Sequence, residues 1–314
     1  MPDLHIEPSI GLKDTPASEG RRTHAAVAEA RSSWNRAPLS PSFDEGSAVR
    51  SAVAGVDRLV IAAADGTELV HGVSLSVRPG EALGVVGESG SGKTLTCRAL
   101  LGILPPGLSV RSGTVRVDGR ELTSASERDW RSVRGTRIGA VFQDPASYLN
   151  PAIPVGRQLQ EVLRVTAGVP KAKAPQRARE LLDDLGIRRV DLVLQQHVAE
   201  LSGGMLQRVL IAMALAADPA VLIADEATTA LDVTVQAELL DLLARLRRER
   251  ELALIIVSHD LAVVAQVCER VLVFRDGRVV EGGATSRVLR APAHAYTRSL
   301  LAAHTAYGLE RFLR

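Results

Sequence analysis

The octapeptide "GESGSGKT", Gly87 to Thr94, combines three glycines, a lysine and a hydroxyl residue in the order G-x-x-x-x-G-K-[ST]. Glycines let a backbone fold closely round an anion, so that its N–H groups point at phosphate oxygens. Lys93 is placed to reach the β- and γ-phosphates of a nucleotide, and the Thr94 hydroxyl to ligate Mg²⁺. A second stretch, "AVLIADEA", runs through apolar residues into the acid pair Asp225 and Glu226. Paired acids at a strand end often only cap a helix. Beside a phosphate loop they read differently: Asp225 holds Mg²⁺ through water, and Glu226 aligns and polarises the attacking water. A third stretch, "AELSGGMLQRV", opens an apolar helical run with Ser202, Gly203 and Gly204. A helix N-terminus attracts anions, yet no lysine or second loop lies nearby. It reads as half of a phosphate site whose complement comes from elsewhere.

These residues need strands and helices to position them. "LVIA", "VSLSV", "ALGVVG", "GTVRV", "IGAVF", "AVLIAD", "LALIIVSHD" and "RVLVFRDG" read as strands. Those containing "VVG", "LIAD" and "IIVS" are apolar without alternation, which suits strands covered on both faces. Helices are predicted over Thr94 to Leu104, Gly204 to Ala217, Val233 to Arg248 and Leu261 to Cys268. Strand–helix alternation predicts an α/β domain with a largely parallel sheet. Between about Asp144 and Glu200 the strand signals stop, and "GRQLQEVLRVTAG" and "APQRARELLDDLG" read as amphipathic helices ending at glycine. This predicts a helical subdomain over about 144–200, inserted into a nucleotide-binding domain over 53–283. Residues 1–52 mix Pro, Ser, Gly, Ala and charges without period and read as a disordered tail. Residues 284–314 form a C-terminal tail, expected to pack on the domain or lie near acidic lipid heads.

Bulk properties narrow the function. The 314 residues carry a formal net charge of only +2 and 3% aromatics. Neither a broad basic face nor stacking platforms for single strands are expected, so no nucleic-acid partner is predicted. Cys97 and Cys268 lie far apart in no metal-ligand spacing and read as buried reduced thiols. The apolar run "VLIAMALAA" is about half of the roughly 18 residues that a membrane span needs. The N-terminus lacks the basic-then-apolar order of a secretory signal. His294 and His304 read as scattered surface histidines.

In chain order the phosphate loop is followed by "FQDP" (Phe142 to Pro145), "LSGGM" (Leu201 to Met205), "LIADEATTALD" (Leu222 to Asp232) and "SHD" (Ser258 to Asp260). From about Val56 onward the sequence resembles the nucleotide-binding subunits of ABC transporters. The resemblance implies a P-loop NTPase fold of the ABC type: α/β, with a mostly parallel sheet core, an antiparallel β subdomain and an inserted α-helical subdomain. It implies ATP and Mg²⁺ as ligands, and ATP hydrolysis coupled to transport. ATP would lie between Gly87, Glu88, Ser89, Gly90, Ser91, Gly92, Lys93 and Thr94 of one subunit and Ser202, Gly203 and Gly204 of the other. Ser202 would donate to the γ-phosphate. Gln143 would contact Mg²⁺ and the water, alongside Thr94 and Asp225 as metal ligands. His259 would touch the γ-phosphate and hold Glu226, and Asp232 would shape the interface between subunits.

Implied partners are a second homologous ATP-binding subunit, two transmembrane permease subunits, and an extracytoplasmic solute-binding protein acting through them. The implied location is the cytoplasmic face of the inner membrane. The segment Asp144 to Pro151 would pass movement to a permease. Within the family, "FQDPASYLNP" and the stretch from Gly204 to Leu243 resemble dipeptide, oligopeptide and nickel importers. The tail "APAHAYTRSLLAAHTAYGLERF", without cysteine-rich extension up to Arg314, resembles the nickel-type branch. Nickel or a nickel chelate is therefore the first expectation for cargo, with dipeptides or oligopeptides as the alternative. Three departures stand out. No aromatic lies within Arg58 to Gly66 to stack a base, Met205 replaces a glutamine, and Ala227 replaces a proline.

Overall fold

The structure, a computed structural model, describes residues 52–227 and 231–305, all within the unit Ser40–Arg314. The expected N-terminal tail, up to residue 51, and residues 306–314 lie outside the described residues.

The strands are β1 (Ala54–Ala63), β2 (Glu68–Val77), β3 (Ala82–Val86), β4 (Leu108–Val117), β5 (Arg120–Glu121), β6 (Ile138–Val141), β7 (Val221–Asp225), β8 (Ala253–Ser258), β9 (Arg270–Arg275) and β10 (Arg278–Ala284). The helices are α1 (Lys93–Leu100), α2 (Glu127–Val133), α3 (Val155–Thr166), α4 (Ala174–Asp184), α5 (Val190–Val193), α6 (Gly203–Ala214), α7 (Val233–Arg250), α8 (Leu261–Val267), α9 (Thr285–Arg290) and α10 (Ala295–Thr305). The strand signals all fall on observed strands. The strands β5 and β10 and the helices α2, α5 and α9 are not predicted, because short elements carry too few residues to show a period, and α10 (11 residues) is not predicted either.

A six-stranded sheet has the order β10-β9-β3-β8-β7-β6. Its pairs β6–β7, β7–β8, β8–β3 and β3–β9 are parallel, and β10 adds antiparallel at the edge. A separate antiparallel sheet runs β2-β1-β4-β5.

The six-stranded sheet separates two hydrophobic cores, as its side-chain alternation requires. On one face Ala82, Val86, Leu222, Ala224, Leu254 and Ile256 meet α6, α7, α8 and the helices α3 and α4. On the other, Leu83, Val85, Ile223, Ile255 and Val257 meet α1, Trp130 and the antiparallel sheet. This double burial explains the unalternating apolar runs of β3, β7 and β8, whose residues are all buried. Between β6 and β7 the described elements are helical. Leu159 and Leu163 of α3 and Ala178, Leu181 and Leu182 of α4 are fully buried, in i,i+3/i+4 stripes.

Close approach of α8 to the central strand is permitted by Gly84 in β3. A Cβ there would lie 2.3 Å from Cγ1 of Val264. Gly84→Ala should therefore lower stability by about 1–3 kcal/mol, the usual cost of overpacking. Adding Val264→Ala should recover part of that loss. Chemical denaturation of the two single variants and the double checks this, and strict additivity would contradict the contact.

Candidate active site

The phosphate loop leaves β3 at Gly87 (φ 146), where a Cβ would sit 2.2 Å from the Phe274 carbonyl oxygen of β9. At its far end Gly92 (φ 97) precedes α1 and packs 3.3 Å from Gly277 and Val70 by the same measure. Only glycine combines these angles with such close neighbours. The loop is also tied to the turn after β9, since Gly277 N donates to Ser91 O (3.1 Å), and the same turn is held to β2 by His71 N donating to Gly277 O (2.8 Å).

Lys93 starts α1 and is buried. Its ammonium donates to Gly87 O (2.8 Å), Glu88 O (2.7 Å) and Ser91 Oγ (3.3 Å). Burial holds its pKa below the ordinary lysine value, and the carboxylates of Glu226 and Asp225 partly oppose that shift. Thr94 Oγ1 donates to Asp225 Oδ1 at 3.3 Å. Asp225, at the end of β7, is 4% exposed, and burial raises its carboxyl above the usual range.

Glu226 follows directly, with its backbone in the left-handed region (φ 51) and its N–H donated to Val257 O (3.0 Å). A non-glycine residue held there is strained, a state that persists at sites where the surroundings dictate direction. His259, one residue past β8, brings Nδ1 to 3.7 Å from Glu226 Oε1. Gln143 follows β6 by two residues. Thr94, Gln143, Asp225, Glu226, His259 and Ser89 line one cleft of ≈ 670 Å³, together with Arg98 and a stacked pair, Phe142 and Tyr148, 5.4 Å apart.

Ser202, Gly203, Gly204 and Asp232 do not line that cleft. Ser202 caps α6, its Oγ accepting from Met205 N (3.4 Å), and Asp232 caps α7, its Oδ1 accepting from Val235 N (2.9 Å). The two helix starts adjoin, because a Cβ on Gly204 would lie 2.5 Å from Val235 Cγ1. Both caps are exposed. Thr228, Thr229 and Ala230, which precede Asp232, lie outside the described residues.

Residues 70–229 match the ABC transporter family. The chain belongs to that family. The chain is 45% identical over 237 residues to the oligopeptide transport ATP-binding protein OppD of Bacillus subtilis (strain 168), covering 75% of this chain and 66% of the relative. It is 41% identical over 255 residues to the dipeptide transport ATP-binding protein DppD of Escherichia coli (strain K12), covering 80% of this chain and 78% of the relative. Other curated relatives are longer, and the chain spans 43% of one and 40% of another. Among solved structures it is similar to the dimeric ABC transporter cassette MJ0796, with TM-score 0.66, 25% identity, and coverage of 74% of this chain and 98% of that one. The fold is thus that of the ABC ATPase cassette. These names give peptides where the sequence reading put nickel first, and the peptide alternative fits them better.

Two cassette residues near the site had escaped notice. Arg98 lies four residues after Thr94, one helical turn on, so its spacing held a signal. Tyr296 of α10 is 3% exposed, and its hydroxyl accepts the Glu88 N–H of the phosphate loop (3.1 Å). Nothing local in the sequence links residues 208 positions apart. The described part of the tail, up to residue 305, packs on the domain, the first of the two expectations for it. His294 is half-buried, and its Nδ1 accepts from Tyr296 N (3.2 Å). The side chain of His304 lies outside the described residues.

Asp225 carries a sign that stability can test. Its raised pKa means that the fold disfavours the carboxylate. That cost is absent below the unfolded pKa near 3.8 and complete above the folded one. Asp225→Asn should therefore raise the nucleotide-free Tm at neutral pH by about 1–4 °C. The gain should disappear on acidification to the region of the unfolded pKa. Thermal melts across pH check it, and a lower Tm at neutral pH would contradict it.

Proposed function

We propose that this chain is the ATP-hydrolysing subunit of an importer for short peptides. The observation that carries this reading is the cleft itself. It brings Ser89 and Thr94 of the phosphate loop together with the acid pair, a glutamine and a histidine, while the Ser202 cap stays outside it on an exposed helix start. A γ-phosphate held by Lys93 of one subunit would then be met by Ser202 of a second. Ser202 would donate through its hydroxyl, with Gly203 and Gly204 allowing close approach and the start of α6 adding its dipole.

Thr94 Oγ1, the Asp225 carboxylate and the Gln143 amide form a set of oxygen donors suited to Mg²⁺. Of these, Thr94 and Asp225 already lie within contact of each other, and the buried carboxyl disfavoured by the fold would be relieved by a cation. When bound, Mg²⁺ neutralises charge on the β- and γ-phosphates. The chain's own residues supply the remainder. Lys93 places the phosphates. The strained turn at Glu226 fixes its carboxylate in the cleft, where it would accept a proton from the attacking water. His259 would hold Glu226 in line and touch the γ-phosphate. Phosphoryl transfer asks little covalent chemistry of a protein, so positioning and electrostatics suffice.

ATP would favour the closed pair because both subunits grip its γ-phosphate, and hydrolysis would remove that differential affinity. Asp232, capping the helix next to the Ser202 start, would shape the same interface. The subdomain over about 144–200 and the segment Asp144 to Pro151 would carry the movement to two permease subunits. Tyr148 is 53% exposed there. A solute-binding protein would deliver cargo to the permeases from outside. No helix among the described residues is long and apolar enough to cross a membrane. The proposed location, the cytoplasmic face of the inner membrane, therefore rests on docking to the permeases.

Glu226→Gln should still bind ATP, hydrolyse it about 10²–10⁴-fold more slowly, and accumulate as an ATP-bound dimer. Phosphate release from the assembled complex and size-exclusion chromatography check this, and wild-type turnover would reject the assignment. For cargo, deletion of this subunit should abolish uptake of labelled dipeptide. Loss of nickel uptake with peptide uptake intact would restore the nickel reading instead.

A further inference from the structure

The C-terminal segment is pinned to the sheet domain by groups that are themselves buried. Glu281 of β10 is 7% exposed, and its carboxylate accepts from Ala293 N (2.7 Å) and His294 N (3.0 Å). Thr297 is fully buried. The guanidinium of Arg275, at the end of β9, lies 4.8 Å from the ring centroid of Tyr296. These contacts bring the Tyr296 hydroxyl to the Glu88 N–H of the phosphate loop at 3.1 Å. Burial raises the phenol's pKa above its ordinary value, so the oxygen stays a hydroxyl at neutral pH.

The bonded N–H belongs to the peptide unit that joins Gly87 to Glu88. The carbonyl of that same unit, Gly87 O, accepts from Lys93 Nζ at 2.8 Å. A peptide unit is planar, so fixing its N–H fixes the direction of its C=O. One end of the plane is therefore held by Tyr296 and the other by the ammonium that the loop exists to place. Gly87, at φ 146, would not by itself confine the plane, since glycine turns readily about its backbone angles.

We propose that Tyr296 is a positioning residue of the phosphate loop: its hydroxyl sets the plane of the Gly87–Glu88 peptide and through it the seat of the Lys93 ammonium. Nucleotide affinity then depends on a helix more than two hundred residues further along the chain. The inference rests on the reading that this loop binds the phosphates of ATP.

Tyr296→Phe removes the accepting oxygen and keeps the ring against Arg275. In the full chain, MgATP should bind the variant about 3- to 10-fold more weakly, the range for one net hydrogen bond. The KM for ATP should rise with it in the assembled complex while kcat is retained. AMP, which lacks the β- and γ-phosphates, should lose less. Hydrogen exchange at the Glu88 amide should quicken, with the strands unchanged. Unaltered MgATP affinity or unaltered Glu88 exchange in a folded Tyr296→Phe protein would overturn the proposal. Should that variant fail to fold, the wild-type chain still decides, because an unprotected Glu88 amide overturns it equally. Lys93→Ala separates the two levels. Loss of MgATP binding there supports the phosphate-loop reading whatever Tyr296 does, and wild-type binding there would remove both.

Discussion

The parallel register of four strands is the constraint on which the rest depends. Val86 pairs with Ser258, Asp225 with Val257, and Val141 with Ala224. The C-terminal ends of β3, β8, β7 and β6 therefore finish nearly level. Each is followed within two residues by a chemical group: the phosphate loop, His259, Glu226 and Gln143. Neighbouring strands lie only about 4.8 Å apart, so side chains leaving adjacent ends fall within reach of one ligand. A slip of one residue in any pair would turn that strand's side chains to the opposite face. Packing resists such a slip, because each position has its own fit to the two cores, as where Gly84 leaves room for Val264 of α8.

Within this frame the fold accepts local costs at the site. The Lys93 ammonium and the Asp225 carboxyl are both buried, and burial shifts each toward its neutral form. Glu226 occupies a left-handed backbone conformation. Gly87 and Gly92 occur where no side chain could follow the loop. Such sacrifices are characteristic of sites organised for a ligand that completes their electrostatics. They contrast with the surface ion pairs, such as Arg116 with Glu121, which lie in solvent and contribute little.

The start of α6 follows another logic. Ser202 satisfies its own helix by accepting from Met205 N, and the adjoining start of α7 is capped by Asp232. Each start is thus capped from within the chain, and the two helix dipoles open side by side on an exposed surface. The phosphate cleft and this surface are separate parts of one molecule. Under the proposed function, a nucleotide gripped by both would need a second subunit, and binding and association would become a single event.

Much of this was legible in the residues. The phosphate loop, the acid pair and the unalternating runs of β3, β7 and β8 are local patterns, each fixed by a short stretch obeying one period or one steric rule. The helices α3 and α4 announced themselves by their apolar stripes. Short elements such as β10 and α9 did not, since fewer than eight residues rarely show a period. The sequence by itself therefore determined which groups are of a type to carry the proposed chemistry and which strands are buried on both faces. Only the tertiary structure decided that Gln143, Glu226 and His259 share one cleft, that Ser202 lies outside it, and that Tyr296 holds the Gly87–Glu88 peptide. Those relations depend on sheet order and on the return of the chain end to its first βα turn, and no local stretch of residues encodes the distance between points so far apart in the chain.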